Sequence, residues 1–459
     1  MNILRLISTL LAALAASLML SAAHAQAAPP AGDEQAVPVP LGADAEPGAH
    51  QLLVMLRLPA SHYRPDASYG GRYIDDSGRA SRHRRAEALA RQHGLTLVDD
   101  WPMPVLGLDC YVMRYAEHTA AGPLIEALSR DPQVEWAQPV AGFSAMAQIA
   151  ATTTAPNGND AARAVVDGAP ARAADGADAL YPVQPAARYW HLADLHRYAT
   201  GRDVKVAVID SGIDANHPDL RGQLAVNNNF VDNGPAPPEN HGTAVAGIIA
   251  ARAGNGGIVG VAPQAKLMGL RACWQQRDQT TRCNSFTLSK AIHFAILNGA
   301  RVINLSLSGP PDRLLDRLLD VALERGIGVV GAIDAQASGP AFPSSHRGVL
   351  AVAAQARAGG PPAGTPSDAL LAPGNDVPTT MPGGRWSFVN GSSYAAAHVS
   401  GMVALLDQLQ PASSPAQLRT LLTPAGSLNA GNIDACVSLS RLIRDFSCAR
   451  TLSQRGATP

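Results

Sequence analysis

The chain has 459 residues, 36 Lys and Arg against 37 Asp and Glu, and a formal net charge of −1. That length exceeds one ordinary hydrophobic core and fits two domains with linkers. The charge balance gives no reason to expect nucleic acid or an anionic surface as a partner, and the arginines are scattered rather than clustered.

Residues 1–25 read as an export signal. Arg5 supplies the basic start, Leu6 to Leu20 an apolar run, and Ala23-His24-Ala25 a small-x-small cleavage pattern. The run is short for a membrane span, so the mature protein is expected to be exported and soluble, secreted or periplasmic. Residues 26–48 are rich in Ala, Pro and Gly and are expected to be disordered. Across 49–140 the texture changes. Strands are predicted at Gln51 to Leu58, Leu95 to Trp101, Leu108 to Tyr115 and Val134 to Gln138, and helices at Arg82 to His93 and Ala120 to Ser129. The order βαββαβ is a ferredoxin-like α+β arrangement. Residues 141–185, rich in Ala, Thr, Gly and Asp without periodicity, read as a linker.

A second domain is expected over 186–448, with a tail at 449–459. Trp190 to Tyr198 reads as a short leading helix. Strands are predicted at 204–209, 265–271, 301–307, 327–332 and 348–354, and helices beginning near 241, 285, 311, 393 and 415. Such βα alternation gives an α/β fold, a parallel sheet with helices on both faces and ligands at the carboxyl ends of its strands.

Three stretches carry the chemistry. Val204 to Ile209 is a buried strand ending at Asp210-Ser211-Gly212-Ile213-Asp214. His241-Gly242-Thr243-Ala244-Val245-Ala246-Gly247 opens a helix of small residues. Gly391-Ser392-Ser393-Tyr394-Ala395-Ala396-Ala397-His398 puts a serine at another helix start, where unpaired N–H groups and the positive dipole end favour a developing oxyanion. Singly these read as a turn former, a satisfied histidine and an N-cap. Together, in the order Asp, His, Ser, they form a nucleophilic triad arrangement. His398 reads as a core residue by its spacing.

These motifs, in order and over about 250 residues, resemble the subtilisin-like serine proteases (subtilases, peptidase family S8). The resemblance implies that Ser393 attacks the scissile carbonyl, His241 carries the proton and Asp210 orients His241. It implies that 49–140 is a propeptide acting as folding chaperone and inhibitor, and that a His217-like residue is structural. It also implies that Ser306, Leu307, Ser308 and Gly309 pair with substrate backbone, while Gly331, Ala332 and Ile333 lie along the S1 wall. Ile333 and Ser308 replace family glycines, so a narrow S1 accepting small residues is expected. Polypeptides and the protein's own propeptide are the implied partners, and a monomer is expected. No cofactor is required; a structural calcium is common in the family, but Asp214, Asp219 and Asp232 are scattered and name no site.

The pattern departs at Asp334, where the family carries the Asn that donates to the oxyanion. An ionised carboxylate cannot donate. Three readings stay open: a protonated Asp334 that donates, a slow enzyme that cuts only its own propeptide, or a catalytically weak binding protein on a protease frame. Among five cysteines, Cys110 lies in the segment expected to be removed. Cys273 with Cys283 and Cys436 with Cys448 is the favoured pairing of the rest, each closing a short loop, and three pairings remain formally open. Wide spacings without a His pair argue against zinc.

Overall fold

A computed structural model describes residues 48–58, 76–146, 148–149, 178–356, 364–411, 413–422, 432–446 and 448. The expected signal, the Ala/Pro-rich segment, most of the linker and the tail lie outside these residues.

The N-terminal strands β1 (Gln51–Arg57), β2 (Thr96–Met103), β3 (Leu108–Arg114) and β4 (Val134–Pro139) form an antiparallel sheet in the order β2-β3-β1-β4, with α1 (Asp76–Gln92) and α2 (Ala121–Leu128) as its helices. This is the βαββαβ order read from the sequence. Strand period two explains why β1 is apolar along its length. Leu52, Val54 and Leu56 pack with Ala86, Leu89 and Leu128 of the helices. Leu53 and Met55 face the other way, into one core with Phe286, Ile292 and Leu314 of the second domain. Both sheet faces are therefore buried.

The chain then runs through β5 (Gly142–Ala145) and β6 (Gln148–Ile149). The sequence placed 141–149 in a linker; here 142–145 and 148–149 are strand, and their partners belong to the second domain. Its main chain does the pairing, so it needs no apolar alternation and shows none. The second domain also begins before residue 186. The Asp178 carboxylate accepts from the N–H groups of Gly254, Asn255 and Gly256, and the Gln184 side chain accepts from Val259 N–H and donates to Val259 C=O. Of the helix predicted over Trp190 to Tyr198 only α4 (Leu192–Leu195) forms; a further short helix, α3 (Pro185–Tyr189), lies before it, and His191 between them takes a left-handed φ of 53°.

The parallel sheet follows. Its strands are β7 (Lys205–Asp210), β8 (Leu224–Asn229), β9 (Lys266–Arg271), β12 (Val302–Leu305), β14 (Gly328–Ala332), β15 (Leu350–Ala354) and β16 (Leu370–Ala372), in the order β16-β15-β14-β12-β7-β9-β8. Between them run α5 (Asn240–Ala250), β10 (Cys273–Gln275), β11 (Thr281–Asn284), α6 (Ser285–Leu297), β13 (Leu307–Ser308) and α7 (Arg313–Glu324). The hairpin of β17 (Val377–Met381) and β18 (Arg385–Asn390) leads into α8 (Ser392–Leu409), followed by α9 (Pro415–Leu422) and α10 (Ala435–Ser440). Val206, Val208, Val302 and Val330 face α5 and α8; Ala207, Ile209, Ile303 and Val329 face α6 and α7. The sheet is thus covered on both faces, as its continuous apolar strands require.

Candidate active site

Asp210 ends β7, His241 sits in the first turn of α5 and Ser393 in the first turn of α8, and all three are buried. Asp210 Oδ1 accepts from His241 Nδ1 at 2.7 Å and from Ser211 N–H at 2.7 Å. The strand-end turn and the histidine helix approach so closely that only glycine fits between them. A Cβ on Gly242 would lie 2.2 Å from Ser211 O, and one on Gly212 1.8 Å from Pro237 O. Glu239, just before α5, ties the two together. Its Oε2 accepts from Gly212 N–H, and both carboxylate oxygens accept from the buried Arg271 guanidinium. The sequence reading did not anticipate this pair.

The serine helix is fixed to β12 by a chain of buried polar groups. Ser400 Oγ donates to Asn304 Oδ1, Asn304 Nδ2 donates to Ser306 Oγ, and Ser306 Oγ donates to Ser393 C=O. Tyr394 packs its ring 5.7 Å from the His241 imidazole. Burial and then the Asp210 charge push its phenol well above the ordinary range, which keeps it neutral. His398 is buried, with Nδ1 on Tyr394 C=O and its ring edge-on to Trp190, a core role as expected; burial lowers it to about 4. His217 is likewise structural, bonded to Arg385 C=O and accepting from Asp219 N–H.

The cleft is filled by the chain itself. β5 lies between β11 and β13, antiparallel to both: Phe143 is opposite Cys283, Ser144 opposite Ser308 and Ala145 opposite Leu307. Beyond Ser393, Gln148 pairs with Asn390 and Ile149 with Val389. Between these strands Met146 meets the serine. Its carbonyl accepts from Ser393 N–H at 3.2 Å, and its own N–H donates to Ser393 Oγ at 3.1 Å. Ser393 Oγ in turn donates to Ser306 C=O at 2.8 Å, and buried His241 Nε2 makes no hydrogen bond among the described residues. The serine hydroxyl is thus turned to Ser306 C=O and not to the imidazole held by Asp210.

Of the residues expected to bind substrate, Leu307 and Ser308 pair with β5, and Ser306 supplies the carbonyl beneath the serine. Gly309 lies under Phe143: a Cβ there would sit 2.2 Å from the ring. Phe143 is itself buried, edge-on to Phe342 at 5.6 Å and in one cluster with Cys273, Cys283 and Leu307. Gly331 faces Pro343, and Ala332 is buried in the core. Ile333 packs with Ala351, Ala353, Ala369 and Leu371. The residue whose main chain meets Ser393 is a methionine.

Asp334 follows β14, half-buried, with Oδ1 accepting from Gln336 N–H at 2.8 Å. Both expected disulfides form, Cys273–Cys283 and Cys436–Cys448, and Cys110 is free and buried. Among the described residues no group of three or more His, Cys, Asp or Glu could hold a metal. The three scattered aspartates are engaged by protein donors: Asp214 by Gly383 N–H, Asp232 by Arg271, and Asp219 by Trp386 Nε1 and Ile258 N–H. Burial raises Asp219 to about 6. Among the described residues no helix is long and apolar enough to cross a membrane.

The subtilase family profile matches residues 201–434. The chain is 37% identical to subtilisin E of Bacillus subtilis over 236 residues, 49% of this chain and 60% of that protein. It is 36% identical to a subtilisin of Bacillus pumilus over 236 residues, 83% of that protein. Among solved structures, fervidolysin from Fervidobacterium pennivorans, a keratinolytic enzyme related to subtilisin, superposes with a TM-score of 0.63 at 20% identity, covering 85% of this chain and 61% of that one. At that identity the likeness speaks for the fold.

Proposed function

Because this chain belongs to the subtilase family, we propose that it is a serine endopeptidase, exported as a precursor, whose first substrate is its own Met146–Ala147 bond. The observation that carries this reading is the hydrogen bond from Ser393 N–H to the Met146 carbonyl, with β5 annealed on one side of the serine and β6 on the other. A peptide held as an added strand gains affinity from main-chain bonds, which any sequence can make, and side-chain pockets then set preference.

The chemistry follows from the geometry. Ser393 Oγ leaves Ser306 C=O, gives its proton to His241 Nε2 and attacks the Met146 carbonyl carbon. The negative charge that develops on the Met146 oxygen meets Ser393 N–H at the positive end of α8. Asp210, fixed by Ser211 N–H, holds the imidazolium. His241 then protonates the leaving Ala147 amine, and water hydrolyses the acyl-enzyme by the same route in reverse. No cofactor takes part. Residues 48–146 act as chaperone and inhibitor, because the fragment that ends at Met146 still occupies the cleft after the cut.

The Phe143 pocket makes this testable. Substrates with an aromatic residue three positions before the P1 residue are expected to be preferred. Filling the space under Phe143 by Gly309→Val is expected to lower kcat/KM for a Gly-Phe-Ser-Ala-Met peptide by about 10²-fold, the scale of one large apolar side chain denied burial. A peptide with Ala in place of Phe is expected to be cut equally by wild type and Gly309→Val. Equal wild-type rates on both peptides would remove the pocket from the account.

A second reading, a catalytically weak binding protein on the same frame, draws on Asp334 alone. The ordered Asp210–His241 pair and the threaded Met146 favour the enzyme.

A further inference from the structure

Residues 48–146 touch the second domain at more than the cleft. Gln138 Nε2 donates to Asp312 Oδ1 at the start of α7, and Ser285 at the start of α6 accepts from Ala141 N–H. Trp136 lies under the guanidinium groups of Arg313 and Arg317, at 4.5 and 5.2 Å. A further contact runs through a histidine. Trp101, at the end of the expected inhibitor's β2, donates its indole Nε1–H to Nδ1 of His293 on α6 at 3.3 Å. Its ring meets Phe230 and the His293 imidazole edge-on, and the Lys290 ammonium lies over it at 5.7 Å.

We infer that His293 is an acid-sensitive latch for the inhibitory segment: protonation of its imidazole releases Trp101 and loosens residues 48–146 from α6. The inference rests on the inhibitor role proposed above. The geometry requires the latch to be neutral when closed. Nδ1 accepts the indole proton, so it cannot itself carry one. The neutral ring therefore carries its proton on Nε2, which is buried and makes no hydrogen bond among the described residues; a second proton on Nδ1 would set two N–H donors against each other and place a charge away from water.

The surrounding charges do not compensate. Lys290, one turn back on α6, and Arg325, at the end of α7, are both cations. On the inhibitor side the facing groups are Asp99 and the buried Cys110 thiol. Asp99 is engaged by Lys290 at 3.9 Å, and burial keeps the thiol neutral. Phe230 on the remaining side is uncharged. Burial first, and then Arg325, lower His293 from 6.5 to about 4.

The sign follows from linkage. A histidine whose value is depressed in the docked state favours docking above its free value and opposes it as pH falls toward the depressed one. With free and docked values of 6.5 and about 4, the equilibrium for undocking rises roughly 20-fold between pH 7 and pH 5. An exported precursor would then stay closed at neutral pH and open where its surroundings are acidic.

The test uses the full chain carrying Ser393→Ala, so that it is independent of whether the protein cuts anything. Amide hydrogen exchange of residues 96–103 and 286–297, corrected for intrinsic rates, is compared at pH 7 and pH 5. The expected result is about 20-fold faster opening at pH 5, lost when His293→Gln is added, since Gln still accepts from the indole but does not titrate. Equal protection at both pH values, or the same acid loosening in the Gln variant, would overturn the latch. A second readout does not depend on how the variant folds. In the Ser393→Ala chain, NMR of the His293 ring is expected to show titration in step with the loss of protection. Release with His293 still neutral would overturn it as well.

Discussion

Replacing Ser393 by Ala is expected to leave the chain joined between Met146 and Ala147 and to lower peptide hydrolysis by about 10⁶-fold, the cost of losing the nucleophile in subtilisin. Every other group in the cleft survives this change. The Met146 carbonyl keeps Ser393 N–H, because that donor is backbone, and His241 keeps Asp210. What disappears is the oxygen that forms the acyl bond. The product to watch is the precursor on a denaturing gel. It is expected to accumulate at full length in Ser393→Ala while wild type yields two fragments. Normal processing of the variant would assign the cut to another protease and leave the cleft occupied for a different reason.

Asp334→Asn is expected to raise hydrolysis at neutral pH by about 10²–10³-fold, the value of the side-chain oxyanion donor in subtilisin. In this chain the Ser393 N–H already reaches the Met146 oxygen. The family resemblance puts the second donor at the position after β14, where Asp334 uses Oδ1 as an acceptor for Gln336 N–H. Its remaining oxygen donates only when it carries a proton. An amide donates without that proton, so the Asn variant supplies the donor directly. Rates of peptide hydrolysis at pH 7 for both proteins decide it; equal rates would show that Asp334 plays no part in the oxyanion site.

Much of this was readable before any coordinates. The βαββαβ order follows from short apolar strands set between helical stretches; a sheet buried on two sides makes Leu52 to Leu56 apolar throughout. The three candidate residues were readable because each sits at the end of an element with its own signal: an apolar strand before Asp210, and runs of small residues after His241 and Ser393. The pairing of the cysteines followed from short loops.

Which residues lie beside Ser393 was not readable. Strand β5 is held by main-chain bonds, and its Gly-Phe-Ser-Ala sequence looks like the surrounding Ala-rich segment. The one available signal was Phe143, the lone aromatic residue between 141 and 180. The partners of Ile333 were not readable, because its position relative to a strand end does not say which neighbours it meets; Ala353 and Leu371 come from elements far along the chain. Strand β8 carries Asn227, Asn228 and Asn229 and reads as a loop, yet pairing with β9 makes it an edge strand. Trp101 and His293 are 192 residues apart, and no local pattern joins them.

The most direct test of the account is the intact mass and N-terminal sequence of the fragments formed by purified wild-type precursor during incubation. The account predicts one fragment ending at Met146 and one beginning Ala147-Gln148-Ile149, formed at a rate independent of protein concentration as expected for a cut within one molecule, and neither formed by Ser393→Ala. A first cut at any other bond, or a rate that rises with concentration, would contradict the claim that the chain lies in its own active site with Met146 against Ser393.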